Sequence, residues 1–304
     1  MEWTSALRPC STAQKKIGAK NSTTNDNWWR GATADSRGRA RAAALLVAVV
    51  TFGRRRSDRE RTRAGRVRDY LACVSDRLLF VTQVAPYRDG PAGVHGVLDQ
   101  AAVGVAQIAE LHGLAPERVD DVREIAPGAL RDARALALFT IGETPWSDDQ
   151  RAAISEGVTD GRLAVCAIHS ATDSCYSWPG YGELVGARFD GHPWTQTFVA
   201  DVLDQSHPAC AHLGPEWRWH DEVYQFRDLR PDARVLLRVR DGELDLAAAG
   251  ARTPSFGYPL AWCFREGDGR VFSTSLGHFP AAWESPVYLR HLSGGLGWAL
   301  GEAG

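Results

Sequence analysis

None of the six cysteines (Cys10, Cys73, Cys166, Cys175, Cys210, Cys263) stands in a Cys-x-x-Cys pair, and their spacing matches no zinc ribbon. A closed thiolate metal module is therefore excluded, and unpaired cysteines in apolar surroundings, such as Cys166 and Cys263, point to a reducing cytoplasm. A long apolar run is missing too. The stretch from Ala42 to Phe52 is about half a membrane span, and it runs into Arg54-Arg55-Arg56 instead of a small-residue cleavage site. Neither a membrane-spanning helix nor an ordinary secretory signal is expected. Positive charge is scarce over residues 71–304, which carry 19 Lys and Arg against 31 Asp and Glu. That balance leaves no broad basic face for nucleic acid. No internal repeat is visible.

The missing positive charge lies in the first 70 residues, with 16 Lys and Arg against 6 Asp and Glu. This part is Ser/Thr/Asn-rich at 21–27, Arg-rich after residue 53 and without periodicity, so residues 1–75 read as a disordered N-terminal extension. The preferred explanation is upstream sequence taken in by a start codon set too early, with the native chain beginning near Val67 to Val74. A transit peptide or a nucleic-acid arm is what charge alone would also permit. Residues 76–304 then form one domain, since 304 residues at 44% hydrophobic and 24% charged suffice for one sizeable core plus a tail.

From Leu78 the chain alternates strand and helix signals, which predicts an α/β fold with a mainly parallel sheet covered on both faces. Strands are expected at 78–82, 135–140 and 163–168. Helices are expected from about Gly93 to Leu111, on Val94, Val97, Leu98, Ala101, Val105, Ile108 and Leu111 at three-to-four spacing, and from Ser147 to about Val158, opened by Ser147 and Gln150 as a capping box. Further strands are expected at 195–202, 235–239, 260–264 and 271–275, and a last helix from Pro286 to Leu300.

The most informative turn follows Leu163-Ala164-Val165-Cys166-Ala167-Ile168, which stops at His169-Ser170. A short buried strand ending in a reactive side chain and a small-residue turn places that side chain at the carboxyl edge of a parallel sheet, where open α/β folds bind ligands. Hydrolases and amidotransferases carry a Ser or Cys nucleophile at such an elbow. An imidazole there favours proton transfer or metal ligation instead. If the 271–275 strand shares the sheet, His278 emerges at the same edge and can divide acid and base roles with His169, or share a metal with Glu222.

Two more segments qualify. Trp219-His220-Asp221-Glu222-Val223-Tyr224 is expected as a loop whose groups converge on a ligand or divalent metal, or else satisfy backbone groups. In Gly191-His192-Pro193-Trp194, the Gly and Pro bend the chain so that His192 and Trp194 can face one cavity, an aromatic ring suiting the apolar face of a sugar; the plain alternative is a turn entering a strand. Trp178, Trp194 and Trp219 can form a stacking wall. His95, His112, His207, His212 and His291 lack such context.

Together these segments resemble the trehalose-utilisation (ThuA-like) family over residues 76–302. The matches are His169-Ser170-Ala171-Thr172-Asp173, Trp178 with Tyr181-Gly182-Glu183-Leu184, Gly191-His192-Pro193-Trp194-x-Gln196, His220-Asp221-Glu222-x-Tyr224, Pro259-x-x-Trp262, Gly269-Arg270-Val271-Phe272 with Leu276-Gly277-His278, and Gly294-Gly295-x-x-Trp298-Ala299. The resemblance implies a flavodoxin-like three-layer α/β/α sandwich similar to class I glutamine amidotransferases, with His278 at the partner-histidine position and His169 replacing the nucleophile. Amidotransferase activity is not implied. One departure is that many relatives carry an aromatic-Arg-His run after the first strand where this chain has Tyr87-Arg88-Asp89; if that His serves the site, either His95 would have to substitute or the site here is smaller.

The resemblance further implies a cytoplasmic protein of carbohydrate metabolism acting on trehalose-type disaccharides or their 3-keto derivatives, as a lyase, isomerase or hydrolase. His169, Glu222 and His278 are the expected catalytic groups, with Ser170, Asp173, His192, Trp194, Trp219 and Tyr224 around the substrate. If a divalent transition metal such as zinc takes part, His169, His220 and Glu222 are its expected ligands. Expected partners are a small carbohydrate, a sugar oxidoreductase that supplies the oxidised substrate and a second copy of the chain; nucleic acid and membrane are not expected. The competing class is a non-catalytic carbohydrate-binding or regulatory module.

Overall fold

Short apolar strands flanked by amphipathic helices settle into a mixed sheet of nine strands. The computed structural model describes residues 76–87 and 95–302, so the expected N-terminal extension and its proposed start lie outside the described residues. In chain order the elements are β1 (Arg77–Val81), α1 (Leu98–Leu111), β2 (Ala115–Val119), α2 (Pro127–Asp132), β3 (Ala135–Leu138), α3 (Asp148–Thr159) and β4 (Ala164–Ile168). A 3-10 turn, His169–Asp173, follows β4 and leads to α4 (Pro179–Val185), β5 (Arg188–Phe189), β6 (Trp194–Val202), β7 (Glu216–Val223), β8 (Phe226–Arg227) and β9 (Arg234–Val239). The domain closes with β10 (Pro259–Glu266), β11 (Gly269–Thr274), α5 (Pro280–Trp283) and α6 (Pro286–Ala299).

The sheet order is β2-β1-β3-β4-β11-β10-β9-β6-β7. From β2 to β11 all neighbours are parallel, in the flavodoxin-like order; from β11 to β7 all are antiparallel. Alternate side chains of the parallel strands feed two cores, as a three-layer sandwich requires. Leu78, Phe80, Cys166 and Ile168 join Ala101, Val105 and Ile108 of α1 and Leu292 and Leu296 of α6. Leu79, Val81, Val165 and Ala167 join Leu130 of α2, Ile154 and Val158 of α3, and Tyr181 and Val185 of α4. Because β4 is buried on both faces, its sequence is continuously apolar.

Ser147 and Gln150 form the expected capping box, and Gln150 Nε2 also donates to the carbonyls of Val122 and Ile125. α1 begins at Leu98, later than expected: Gly96 and Val97 form a turn. The strand β2, Ala-Pro-Glu-Arg-Val, has no sequence signal, being mostly exposed and containing Pro116. It sits at the sheet edge, where a missing amide does no harm. The segment expected as a loop at 219–224 is, through Val223, part of β7, paired with β6 from Trp194↔Val223 to Asp201↔Glu216. Its polar residues mask the strand's alternation, since buried Asp221 and Glu222 are paired by the groups described below.

Candidate functional site

The centre of the site is the end of β4. His169 takes φ +50°, a left-handed backbone that costs a non-glycine residue ~1–3 kcal/mol and persists only where surroundings impose it. The imposing contact is main-chain: His169 Nδ1 lies 2.8 Å from the carbonyl oxygen of Ser275, just past β11, the strand beside β4. A carbonyl can only accept, so Nδ1 carries the proton and Nε2 keeps its lone pair. Tyr224 donates its hydroxyl to that lone pair at 2.9 Å.

Around Nε2 stand three more ionisable groups. His278 Nδ1 is 3.2 Å away, and Glu222 Oε2 is 3.6 Å from His169 Nε2 and 3.3 Å from His278 Nδ1. His95 presents its ring edge-on to His169 and to His278, with centroids 5.1 and 5.7 Å apart. Both His95 nitrogens are buried without a hydrogen-bond partner among the described residues, which costs about 1–3 kcal/mol for a buried polar group. At the rim His192, with 44% of its side chain exposed, places Nδ1 3.6 Å from Glu222 Oε1 and leans on Phe189 and Tyr224.

Burial pushes His169, His95 and His278 toward the neutral form. Desolvation, followed by the neighbouring histidine His95, holds fully buried His169 well below the usual histidine range, and desolvation with His278 and His192 nearby lowers His95 to about 4. His278 is lowered by burial and by His192 against the opposing pull of Glu222. Burial, reinforced by the Glu222 carboxylate, raises the Tyr224 phenol well above its ordinary value, so it stays a donor.

Asp221 fixes the relative position of β7 and the segment after β11. Fully buried, it accepts from the backbone amides of Gly277 (2.8 Å), His278 (3.2 Å) and Glu222 (3.0 Å) and from the Trp219 indole (3.1 Å). One carboxylate therefore ties the strand bearing Glu222 to the loop bearing His278. A second buried carboxylate, Asp173 at the end of the 3-10 turn, accepts from the phenols of Tyr87 and Tyr176.

Of the residues expected at the site, His169, Glu222, His278 and Tyr224 meet, with His192 at the rim and Asp173 held by its two tyrosines. Ser170 is buried next to His169, with Oγ unpartnered among the described residues. Three residues are placed elsewhere. His220 is exposed on β7, against Thr197 Oγ1 and the Phe279 ring. Trp194 donates its indole to the Asp245 carbonyl and packs against Tyr258, and Trp219 packs on Trp217 and Tyr288. In both cases core packing claims the ring. Sequence reasoning raised His95 only as a conditional substitute and gave Asp221 no role of its own. For His95 the signal was the departure at Tyr87-Arg88-Asp89; for Asp221 it was the acidic pair with Glu222.

A family model described as trehalose utilisation matches residues 87–299. Among solved structures, a ThuA-like protein from Parabacteroides merdae is 19% identical with a TM-score of 0.57, covering 75% of this chain and 91% of that one. A ThuA-like protein from Bacteroides uniformis is 15% identical with a TM-score of 0.58, covering 74% of this chain and 92% of that one. A cytoplasmic protein from Salmonella typhimurium is 12% identical with a TM-score of 0.50, covering 73% and 98%. At these identities the likeness is one of fold. Comparison with curated proteins gives no match.

Proposed function

Since the chain belongs to the ThuA family, whose model covers most of its described residues, we propose that it acts on trehalose-type disaccharides or their 3-keto derivatives by imidazole and carboxylate acid-base chemistry. The observation that carries this reading is the neutral His169 with its Nε2 lone pair turned toward Tyr224, His278 and Glu222. Moving a proton next to a carbonyl needs a base, an acid and an electrophile. His169 Nε2 or Glu222 takes the proton from the carbon beside the keto group. His278 donates to the oxygen on which charge develops, and so does the Tyr224 hydroxyl once the substrate draws it away from His169 Nε2 and leaves that lone pair open. Cysteine chemistry has no place here, because the elbow holds an imidazole and burial in the sheet pushes the Cys166 thiol up to about 12.

A sugar oxidoreductase in the cytoplasm would supply the keto substrate. The test is to incubate the protein with 3-keto-trehalose in deuterium oxide and follow deuterium entry next to the carbonyl. Exchange or turnover that His169→Ala and Glu222→Gln abolish, with sugar binding retained, supports the reading. Saturable sugar binding with neither exchange nor turnover would identify a carbohydrate-binding module instead.

A further inference from the structure

We propose that His95, His169, His278 and Glu222 form a binding site for one divalent transition metal of the zinc class. His95, His169 and His278 each present a ring nitrogen, and these three atoms lie within 4.8 Å of one another. Glu222 Oε2 stands 3.3 Å from His278 Nδ1 and 3.6 Å from His169 Nε2, which are themselves 3.2 Å apart. Tetrahedral zinc with bonds of 2.0–2.1 Å to nitrogen holds its donors about 3.3 Å apart, so the His169, His278 and Glu222 atoms already have that spacing. The His95 nitrogen, within 4.8 Å of the other two, would close the remaining gap on binding.

Two further features separate this cluster from imidazoles that merely pack. Ligating histidines characteristically donate the other ring N–H to a backbone carbonyl or carboxylate, which fixes the tautomer and aims the lone pair; the Ser275 carbonyl does this for His169. His95 has both ring nitrogens buried and neither partnered among the described residues, as a ligand awaiting a metal would. Three imidazoles and a carboxylate suit zinc and its neighbours, and not calcium or magnesium, which take oxygen ligands. The metal would take the same His169, His278 and Glu222 atoms that the acid-base reading uses, but its binding is read without any sugar, so the two can be tested separately.

The test uses the full chain purified without a histidine tag, stripped with a chelator and titrated with Zn²⁺ by calorimetry, with Co²⁺ as a spectroscopic probe. The expected result is one Zn²⁺ per chain and a tetrahedral Co²⁺ absorption band. His95→Ala, His278→Ala and Glu222→Gln should each weaken binding by about tenfold or more, whereas His220→Ala should bind like the parent. Because a replacement in the buried centre can fail to fold, the Zn²⁺-induced rise in melting temperature is read on each variant that shows a cooperative melt in the stripped form. No stoichiometric binding by the parent protein, or unchanged affinity in His95→Ala, would overturn the proposal. Metal binding without sugar turnover would leave the site standing and remove the carbohydrate reading; exchange by protein that cannot be loaded would do the reverse.

Discussion

A neutral imidazole whose proton is fixed has a single lone pair to offer, and at His169 that lone pair is on Nε2. Tyr224 is the group hydrogen-bonded to it most closely at 2.9 Å, and burial keeps the phenol protonated. Tyr224→Phe removes one hydroxyl and little volume. The expected outcome is a stability loss of about 1 kcal/mol, read by chemical denaturation, and a fall of ~10²-fold or more in deuterium exchange, the scale of one acid-base group. Equal exchange in parent and variant would take Tyr224 out of the chemistry.

At the scale of elements, the site depends on two strands that meet through a side chain instead of a backbone ladder. β7 and the segment after β11 belong to different parts of the sheet, and Asp221 joins them by accepting from the Gly277 and His278 amides. Asp221→Ala leaves buried donors without an acceptor, so a loss of about 2–4 kcal/mol is expected in denaturant melts. Asp221→Asn keeps the shape and one acceptor and should lose less. α6 makes a different kind of junction: a Cβ on Gly295 would come 2.4 Å from the Phe272 ring. Gly295→Ala is therefore expected to cost about 1–3 kcal/mol through overpacking, against a slight gain from helix propensity alone. A melting temperature at or above the parent's would show that the helix can shift away.

Much of this was legible in the sequence, for physical reasons that differ by element. β4 carries a continuous apolar run because both faces are covered, so His169 at a sheet edge followed from composition; its meeting with His278 depended on β11, Gly-Arg-Val-Phe-Ser-Thr, lying beside β4, which the sequence left conditional and the pairing supplies. β7 was not legible as a strand, because its alternation is carried by Trp, Arg, His, Asp and Glu, whose burial depends on partners distant in sequence. His95 lies 74 residues before His169, and only the packing of α1's approach against β3 and β4 brings them together. Trp194 and Trp219 were placed at the site by sequence proximity, whereas ring area buried in the core decided where they went.

For the molecule as a whole, buried imidazoles set the response to acid. Burial lowers His95, His207 and His291 to about 4 and His169 well below its ordinary value. In the unfolded chain each returns to about 6.5. Between those values the unfolded chain binds more protons, so the stability is fully present above pH ~6.5 and is lost as pH falls toward ~4. Asp221 opposes this: burial raises it to about 6 against about 3.9 when unfolded, so the native state holds the extra proton in that window. Burial also lowers His212 and His278 and raises Asp173, so six imidazoles stand against two carboxyls, and the melting temperature should drop between about pH 7 and about pH 5. A flat or rising profile would mean that the histidines are solvated or charged in the native protein.

The bond from His169 Nδ1 to Ser275 ends on a main-chain oxygen, which every amino acid at position 275 would supply equally. Replacing Ser275 by Ala removes only its hydroxyl's contact with the Leu260 carbonyl, 3.3 Å away, and leaves the acceptor for His169 in place. A side-chain scan of the site would therefore score position 275 as indifferent to chemistry, although it decides which nitrogen of His169 holds the proton. The atom that aims the central imidazole cannot be reached by substitution, only by moving the strand that carries it.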